Sequence, residues 1–584
     1  MSVSETDRRL FLKYLGAGFA GVTTPVGALG PLAEARGPMP FQDLRGGVSS
    51  PAAFGGVTTF NPIQPSDRDD LILPQGFSYQ LLIAYGDQFT LSGERFGFNC
   101  DFTAYLPRTP EGHEGLLVVN HEYVGTATDS YGQAFSRVVG GVPTVDDFKF
   151  DVGMSVVYVR KNPSGSWVIM RSDLNRRITA DTLMIADGPA LQGISNVGGT
   201  LGNCSGCHTP WNTVLTCEEN YQDYVPEDLV TNGQGTVGGL FQKNGTHFGW
   251  VVEVDPHDPN WTPVKHTWLG RFRHENVAIR TSANERVIAY MGDDRTNGHV
   301  YKFVSDARYV PGSAANKGLL TTGRLFSAQF NVDGSGRWIE LAPGTALNPA
   351  AGTAVPTVPS GATNLGGVYG TQGNILIDAY RASNLVGATP TGRPEDVEVH
   401  PFDNSVFIAF TASTTIANSL FTNIYGELLR LVEGSADGTG NTFTWQRWTA
   451  GGPNDAARGG NVYAAPDNLS FDRAGNLWLV CDISSANLNG ANAAYTAFKN
   501  NGMFYMATSG PHTGSAFQFA SGPCESELTG PAWTPDEQTL FLAVQHPGET
   551  SGTRGSTVVS PRGSNWPHRE HGAPLPSVVA IQRR

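Results

Sequence analysis

Residues able to do acid, metal or nucleophilic chemistry are gathered in short strings along this chain. Asn203-Cys204-Ser205-Gly206-Cys207-His208-Thr209-Pro210-Trp211 is followed at once by Cys217-Glu218-Glu219-Asn220. Beyond them stand Arg271-Phe272-Arg273-His274-Glu275, Gly292-Asp293-Asp294, Arg393-Pro394-Glu395-Asp396-Val397-Glu398-Val399-His400, Pro466-Asp467-Asn468, Asp482 and Gln545-His546-Pro547-Gly548-Glu549. Asn99-Cys100-Asp101 and Asn120-His121-Glu122 lie nearer the start. Carboxylates dominate these strings. Hard cations such as Ca²⁺ gather several oxygen ligands, ferric iron also accepts carboxylate oxygen, and a thiolate among the donors favours a transition metal. One Asp or Glu alone is more often a turn or surface residue. The recurrence of acidic pairs is what points to a shared cation site.

Cys204-Ser205-Gly206-Cys207-His208 also has the form of a c-type haem attachment string. Haem of that type is attached after export, on an unfolded chain. A local disulfide between Cys204 and Cys207, or two buried thiols, accounts for the same residues.

The elements that must position these strings are short strands. Gly115–Asn120, Met154–Arg160, Thr213–Thr216, Arg286–Met291, Val300–Val304, Ser405–Phe410, Asn476–Cys481 and Thr539–Val544 are β-branched or aromatic runs bounded by turn residues. Turns such as Asp472-Arg473-Ala474-Gly475-Asn476 and Thr534-Pro535-Asp536-Glu537-Gln538 precede strands, and Glu218, Asp293, Asp482 or His546 closes them. Turn, strand and polar end, repeated at irregular spacing, predict an all-β fold, a degenerate β-propeller of six blades with loop insertions. A sandwich or several small sheets is the alternative. In a propeller such strand ends can converge on the central axis. Abundant glycine (71) and proline (37), with only 16% charged residues, argue against a helical bundle. Segments 310–375 and 483–520 read as insertions. No linker is evident, so 36–584 is expected to form one domain.

Residues 1–35 read as a twin-arginine export signal. Asp7-Arg8-Arg9-Leu10-Phe11-Leu12-Lys13 precedes a weakly apolar stretch from Tyr14 to Gly30, and small residues from Ala28 to Ala35 suit cleavage. The expected location is periplasmic or extracellular, reached through the twin-arginine translocase, which carries folded proteins. That route conflicts with haem attachment to an unfolded chain and favours a metal bound before export. The net charge is −14 and no basic run appears, so nucleic acid is not the expected partner. The six cysteines could pair outside the cytoplasm, in a pattern that sequence does not give.

With these strings in hand, the chain resembles the PhoX-type alkaline phosphatases. The resemblance rests on Phe96-Gly97-Phe98-Asn99-Cys100-Asp101, Val118-Val119-Asn120-His121-Glu122, Asn203-Cys204-Ser205-Gly206 with Thr209-Pro210-Trp211, and Leu215-Thr216-Cys217-Glu218-Glu219-Asn220. It continues through His274-Glu275, Gly292-Asp293-Asp294 with Tyr301-Lys302-Phe303, Arg393 to Glu398, Pro466-Asp467-Asn468 and Gln545 to Glu549. It implies a propeller holding ferric iron (Fe³⁺) and Ca²⁺ that releases phosphate from small phosphomonoesters without a serine nucleophile. A metal-bound oxide or hydroxide would attack instead, in a protein acting as a monomer. By the same resemblance Cys204 is an iron-ligating thiolate and Glu219, Glu275, Glu395 and Asp482 are further ligands. Glu218, Asp293, Asp294, Glu398 and Asp467 are additional candidates, and Arg393 contacts substrate phosphate. Cys207 stands where the family more often has glycine, and Cys100 where a polar residue is expected. Ile194 to Gly202 offers no lysine to match one that the family places near phosphate. Other readings are a non-catalytic calcium-binding propeller, a haem or redox protein, and a phosphodiesterase on the same metal site.

Overall fold

The computed structural model describes residues 48–49 and 59–584, except 127–128, 195, 228–234, 351, 412–419, 454–461, 490–493, 555–562 and 570–571. The proposed export signal lies outside the described residues. The described chain is an all-β propeller built of six blades, antiparallel except where Val264–His266 pairs parallel with Leu183–Asp187 in the second.

Each blade starts with a strand at the centre and adds strands outward. The innermost strands are Cys100–Pro107, Asn203–His208, His274–Arg280, Pro394–Val399, Pro466–Phe471 and Glu527–Trp533. They pack one on the next, first to sixth and back to the first, so they ring a common axis. The second strands are Glu114–His121, Val214–Glu218, Arg286–Asp293, Val406–Phe410, Leu477–Cys481 and Thr539–Gln545. These are almost wholly buried and carry the apolar runs. Between the fourth and fifth blades, for example, Phe407, Ala409 and Leu428 pack on Leu469, Leu477, Leu479 and Phe504. Burial of such faces is the main force joining the blades.

The ring closes by pairing the two ends of the described chain. Phe77–Ala84 completes the sixth blade against Ser577–Arg583, with Phe77 opposite Arg583 and Ala84 opposite Ser577. The third and fourth blades are joined into a nine-stranded sheet where Ser335–Glu340 pairs with Thr442–Ala450.

All eight runs singled out in the sequence are strands. The two expected insertions are smaller than read. Within 310–375 lie Gly323–Phe330 and Ser335–Glu340, outer strands of the third blade, and the insertion is the helical segment that follows them. Within 483–520 lie Gly502–Met506 and Ala516–Ser521, outer strands of the fifth blade. Gly502–Met506 and Ala516–Ser521 are buried and apolar, but the glycine-, asparagine- and serine-rich stretches on either side of them imitate a loop.

Candidate metal centre

The innermost strands open in one repeated way. In the first five blades the first ladder pairs are Cys100 with His121, Asn203 with Glu218, His274 with Asp293, Pro394 with Phe410 and Pro466 with Cys481. In each the register slips before the next pair, at Thr103, Gly206, Val277, Val397 and Leu469. A bulge of this kind takes a residue off the ladder and re-aims its side chain. The residues displaced are Asp101, Cys204, Glu275, Glu395 and Asp467. One residue past the second-strand partners come Glu122, Glu219, Asp294, Thr411 and Asp482, with His546 in the sixth blade. Two circles of polar residues thus meet at one end of the axis. Asn99, Gly202, Arg393 and Ala465, which directly precede innermost strands, all have positive φ (51°, 61°, 55° and 47°), a conformation that costs non-glycine residues energy.

Four groups of ligand atoms lie within 4.8 Å of one another: Asp101, Glu122 and Cys204; Cys204, Glu219 and Glu275; Glu275, Asp294 and Glu395; and Asp482, Glu527 and His546. Cys204 and Glu275 each belong to two groups. The Cys204 thiol donates to Glu275 Oε1 at 2.9 Å. Asn220 Nδ2 donates to Glu122 Oε1 at 2.7 Å and also to Glu219 Oε2, so one amide spans two groups. Gln545 Nε2 holds the other oxygen of Glu122 at 2.6 Å. Gln222 Nε2 donates to Asn220 Oδ1 at 3.1 Å, which fixes the orientation of that amide.

The charge in this cage is lopsided. Burial, followed by the neighbouring acids, pushes Cys204, Glu219, Glu275 and Glu527 well above their ordinary values. Burial and Asp294 do the same to Glu395. Burial lifts Asp101 to about 6 and Asp467 to about 7, and burial with Asp101 lifts Glu122 to about 8. Among the described residues Arg393 is the only arginine or lysine that ion-pairs with these groups, through Asp294 and Glu395. So many carboxylates in one buried site can all be ionised only with cations among them. Asp294 Oδ1 is buried with no protein partner, as a ligand oxygen would be. The donor set therefore fits metal ions. The Cys204 groups suit a transition metal, and the all-oxygen group of Glu275, Asp294 and Glu395 suits a hard cation.

Of the residues expected from sequence, Cys204, Glu219, Glu275, Asp294, Glu395 and Asp482 are brought into the groups. Asp467 lies beside them, accepting from Asn468 Nδ2 at 3.1 Å. Arg393 reaches Asp294 Oδ2 at 2.6 Å and Glu395 Oε1 at 3.1 Å while its side chain stays 38% exposed, so it stands at the mouth. Three other candidates lie outside the four groups. Glu218 stays on the ladder and turns away, meeting Lys265 Nζ at 2.6 Å and the amides of Gly249 and Trp250. Asp293 also stays on the ladder and binds Arg295 Nε at 2.8 Å and the Arg273 amide at 3.1 Å. Glu398 sits further along its strand, outside all four groups.

Asp101, Glu122, Glu527 and His546 were not named as ligands from sequence. Asp101 and Glu122 occupy the same two strand positions as Glu275 and Asp294, so that repeat was the available signal. Glu527 was passed over although Gly522-Pro523 and Glu525 shortly precede its strand, because the pattern of an acid closing a strand pointed to second-strand ends. The Cys204–His208 string is extended strand, with Cys204 committed to Glu275 and His208 exposed at the far end. Attaching haem through both thiols would require opening the innermost sheet. All six cysteines are free thiols, so the local disulfide is absent.

A family model described as alkaline phosphatase PhoX matches residues 58–548. PhoX of Pseudomonas fluorescens, solved in complex with vanadate, a transition-state analogue, is similar at 29% identity and a TM-score of 0.74, over 90% of this chain and 98% of that one. An α-L-arabinofuranosidase from Fusarium graminearum with an iminosugar inhibitor aligns over 87% of this chain and 97% of its own, at 10% identity and a TM-score of 0.33. That likeness is too slight to bear on function. No curated protein sequence matches the chain.

Proposed function

The chain belongs to the PhoX alkaline phosphatase family, and from that premise we propose that it is an exported, metal-dependent phosphomonoesterase acting on small organic phosphate esters. The observation that carries this reading is the place of Arg393. Its guanidinium stands at the mouth of a thiol–carboxylate cage, in contact with Asp294 and Glu395 and still open to solvent. A planar fork of donors there suits the paired oxygens of a terminal phosphate.

Cys204 with Asp101, Glu122, Glu219 and Glu275 would hold ferric iron, and Glu275, Asp294 and Glu395 would hold Ca²⁺, with Asp482, Glu527 and His546 as a further set. Bound cations would offset the charge developing on the phosphoryl oxygens and make a water a stronger nucleophile near neutral pH. The chain's own residues do the rest. Arg393 orients the phosphate from the mouth. The amides of Asn220 and Gln545 fix the carboxylates, so little reorganisation is needed as charge shifts. Metal binding requires Cys204 to lose the proton it now gives to Glu275.

Arg8-Arg9-Leu10-Phe11-Leu12-Lys13 supports export through the twin-arginine route to the periplasm or beyond, and the protein is taken to act as a monomer. Turnover of p-nitrophenyl phosphate against bis(p-nitrophenyl) phosphate tests the substrate class. A phosphomonoesterase hydrolyses the first and leaves the second nearly untouched. A preference for the diester would replace this reading with the phosphodiesterase one.

A further inference from the structure

Two arginines flank the cage in sequence and in space. Arg273 stands two residues before Glu275, and its carbonyl accepts from the Asp294 amide at 3.0 Å. Arg295 directly follows Asp294. The two guanidinium groups converge on Glu227, which accepts from Arg273 Nε at 3.3 Å and NH2 at 2.8 Å and lies 3.0 Å from Arg295 NH2. Arg295 Nε also binds Asp293 at 2.8 Å, and its guanidinium lies over the Tyr380 ring, 4.4 Å from its centre. Burial opposes ionisation of Glu227, yet Arg295 and then Arg273 hold it down to about 2, so it stays charged at any working pH.

Each guanidinium spends its Nε and NH2 on these carboxylates. Neither NH1 has a protein hydrogen-bond partner among the described residues, and both side chains are partly exposed. Like charges this close repel, and Glu227 and Asp293 offset that repulsion. Each fork keeps its NH1 donors unspent, and two such forks side by side suit an oxyanion.

We propose that Arg273 and Arg295 form an anion subsite beside the phosphoryl site, and that good substrates are phosphate esters whose leaving group carries a second phosphate. The proposal rests on the phosphatase reading above. Arg393 takes the phosphate that is cleaved, and the Arg273–Arg295 pair takes the one that is kept.

The test compares p-nitrophenyl phosphate, fructose 6-phosphate and fructose 1,6-bisphosphate on the metal-loaded protein. Wild type is expected to show a KM for the bisphosphate about tenfold below that for the monophosphate, roughly the gain from one charge-assisted contact. Arg273→Gln should erase that difference and leave kcat and KM for p-nitrophenyl phosphate unchanged, and Arg273→Lys should retain part of it. Equal KM values for the two sugar phosphates in wild type would overturn the subsite without any variant being needed. So would an equal loss on all three substrates in Arg273→Gln. Absence of p-nitrophenyl phosphate turnover in wild type would instead bring down the phosphatase reading, and the subsite with it.

Discussion

The thiol of Cys204 lies 2.9 Å from Glu275 Oε1, across the join between the second and third blades. Two strands distant in sequence thereby share one potential metal ligand set, and Cys204 reaches from it into the group of Asp101 and Glu122. The cage is built by ring closure, since no single blade contains any of its groups.

Replacing the shared thiol should disable two groups at once. Cys204→Ser puts a hydroxyl that stays protonated where a soft anionic donor is needed. Iron content should collapse and kcat should fall by about 100-fold or more. Metal analysis together with turnover checks this, and a variant with full iron and full activity would remove Cys204 from the site.

Asn220 is expected to act by position. Asn220→Asp keeps the shape but replaces a donor to Glu122 and Glu219 with a third negative charge. Metal affinity should drop by about 10- to 100-fold, the usual effect of losing a group that orients ligands. The thiolate-to-metal absorption band should shift in the metal-loaded variant, a readout that loss of general stability would not produce.

Arg393 should separate from the metals. Arg393→Ala is expected to lower kcat by about 10² to 10³-fold, as for loss of one donor to a developing oxyanion, and to weaken inhibition by inorganic phosphate. Metal content should stay at the wild-type level. If the metals leave with the side chain, Arg393 is a structural counter-ion to Asp294 and Glu395.

A buried His266 supplies a pH test away from the site. It bridges Asp187 at 2.7 Å and Glu253 at 2.9 Å. Burial opposes its charge, but Asp187 and then Glu253 raise it to about 10. A histidine raised on folding stabilises fully below its ordinary value of 6.5, and that contribution fades as pH climbs through 10. His266→Gln should cost about 3 to 5 kcal/mol at pH 6, because it leaves buried carboxylates unpaired. Denaturation midpoints of wild type and variant should then draw together by pH 10, and a pH-independent gap would show that His266 is neutral.

The strands legible in the sequence are mostly second strands, such as Leu477–Cys481 and Thr539–Gln545, whose full burial demands β-branched and aromatic residues. The innermost strands were illegible for the reason that makes them functional. Pro466-Asp467-Asn468 and Asn203-Cys204-Ser205 give up apolar pattern to face the axis. Acidic pairs were visible, but which member faces inward depends on register. Glu219 and Asp294 enter the cage, while Glu218 and Asp293, one residue earlier, stay on the ladder and meet Lys265 and Arg295. Glu527 was not picked out, since its role comes from the sixth blade packing beside Asp482 of the fifth.

The most direct test is metal content and p-nitrophenyl phosphate hydrolysis measured on one preparation, purified without chelator. The predicted result is bound iron and calcium, with turnover that a chelator abolishes. Calcium without iron, and no turnover, would contradict it and leave a cation-binding propeller in place of a phosphatase.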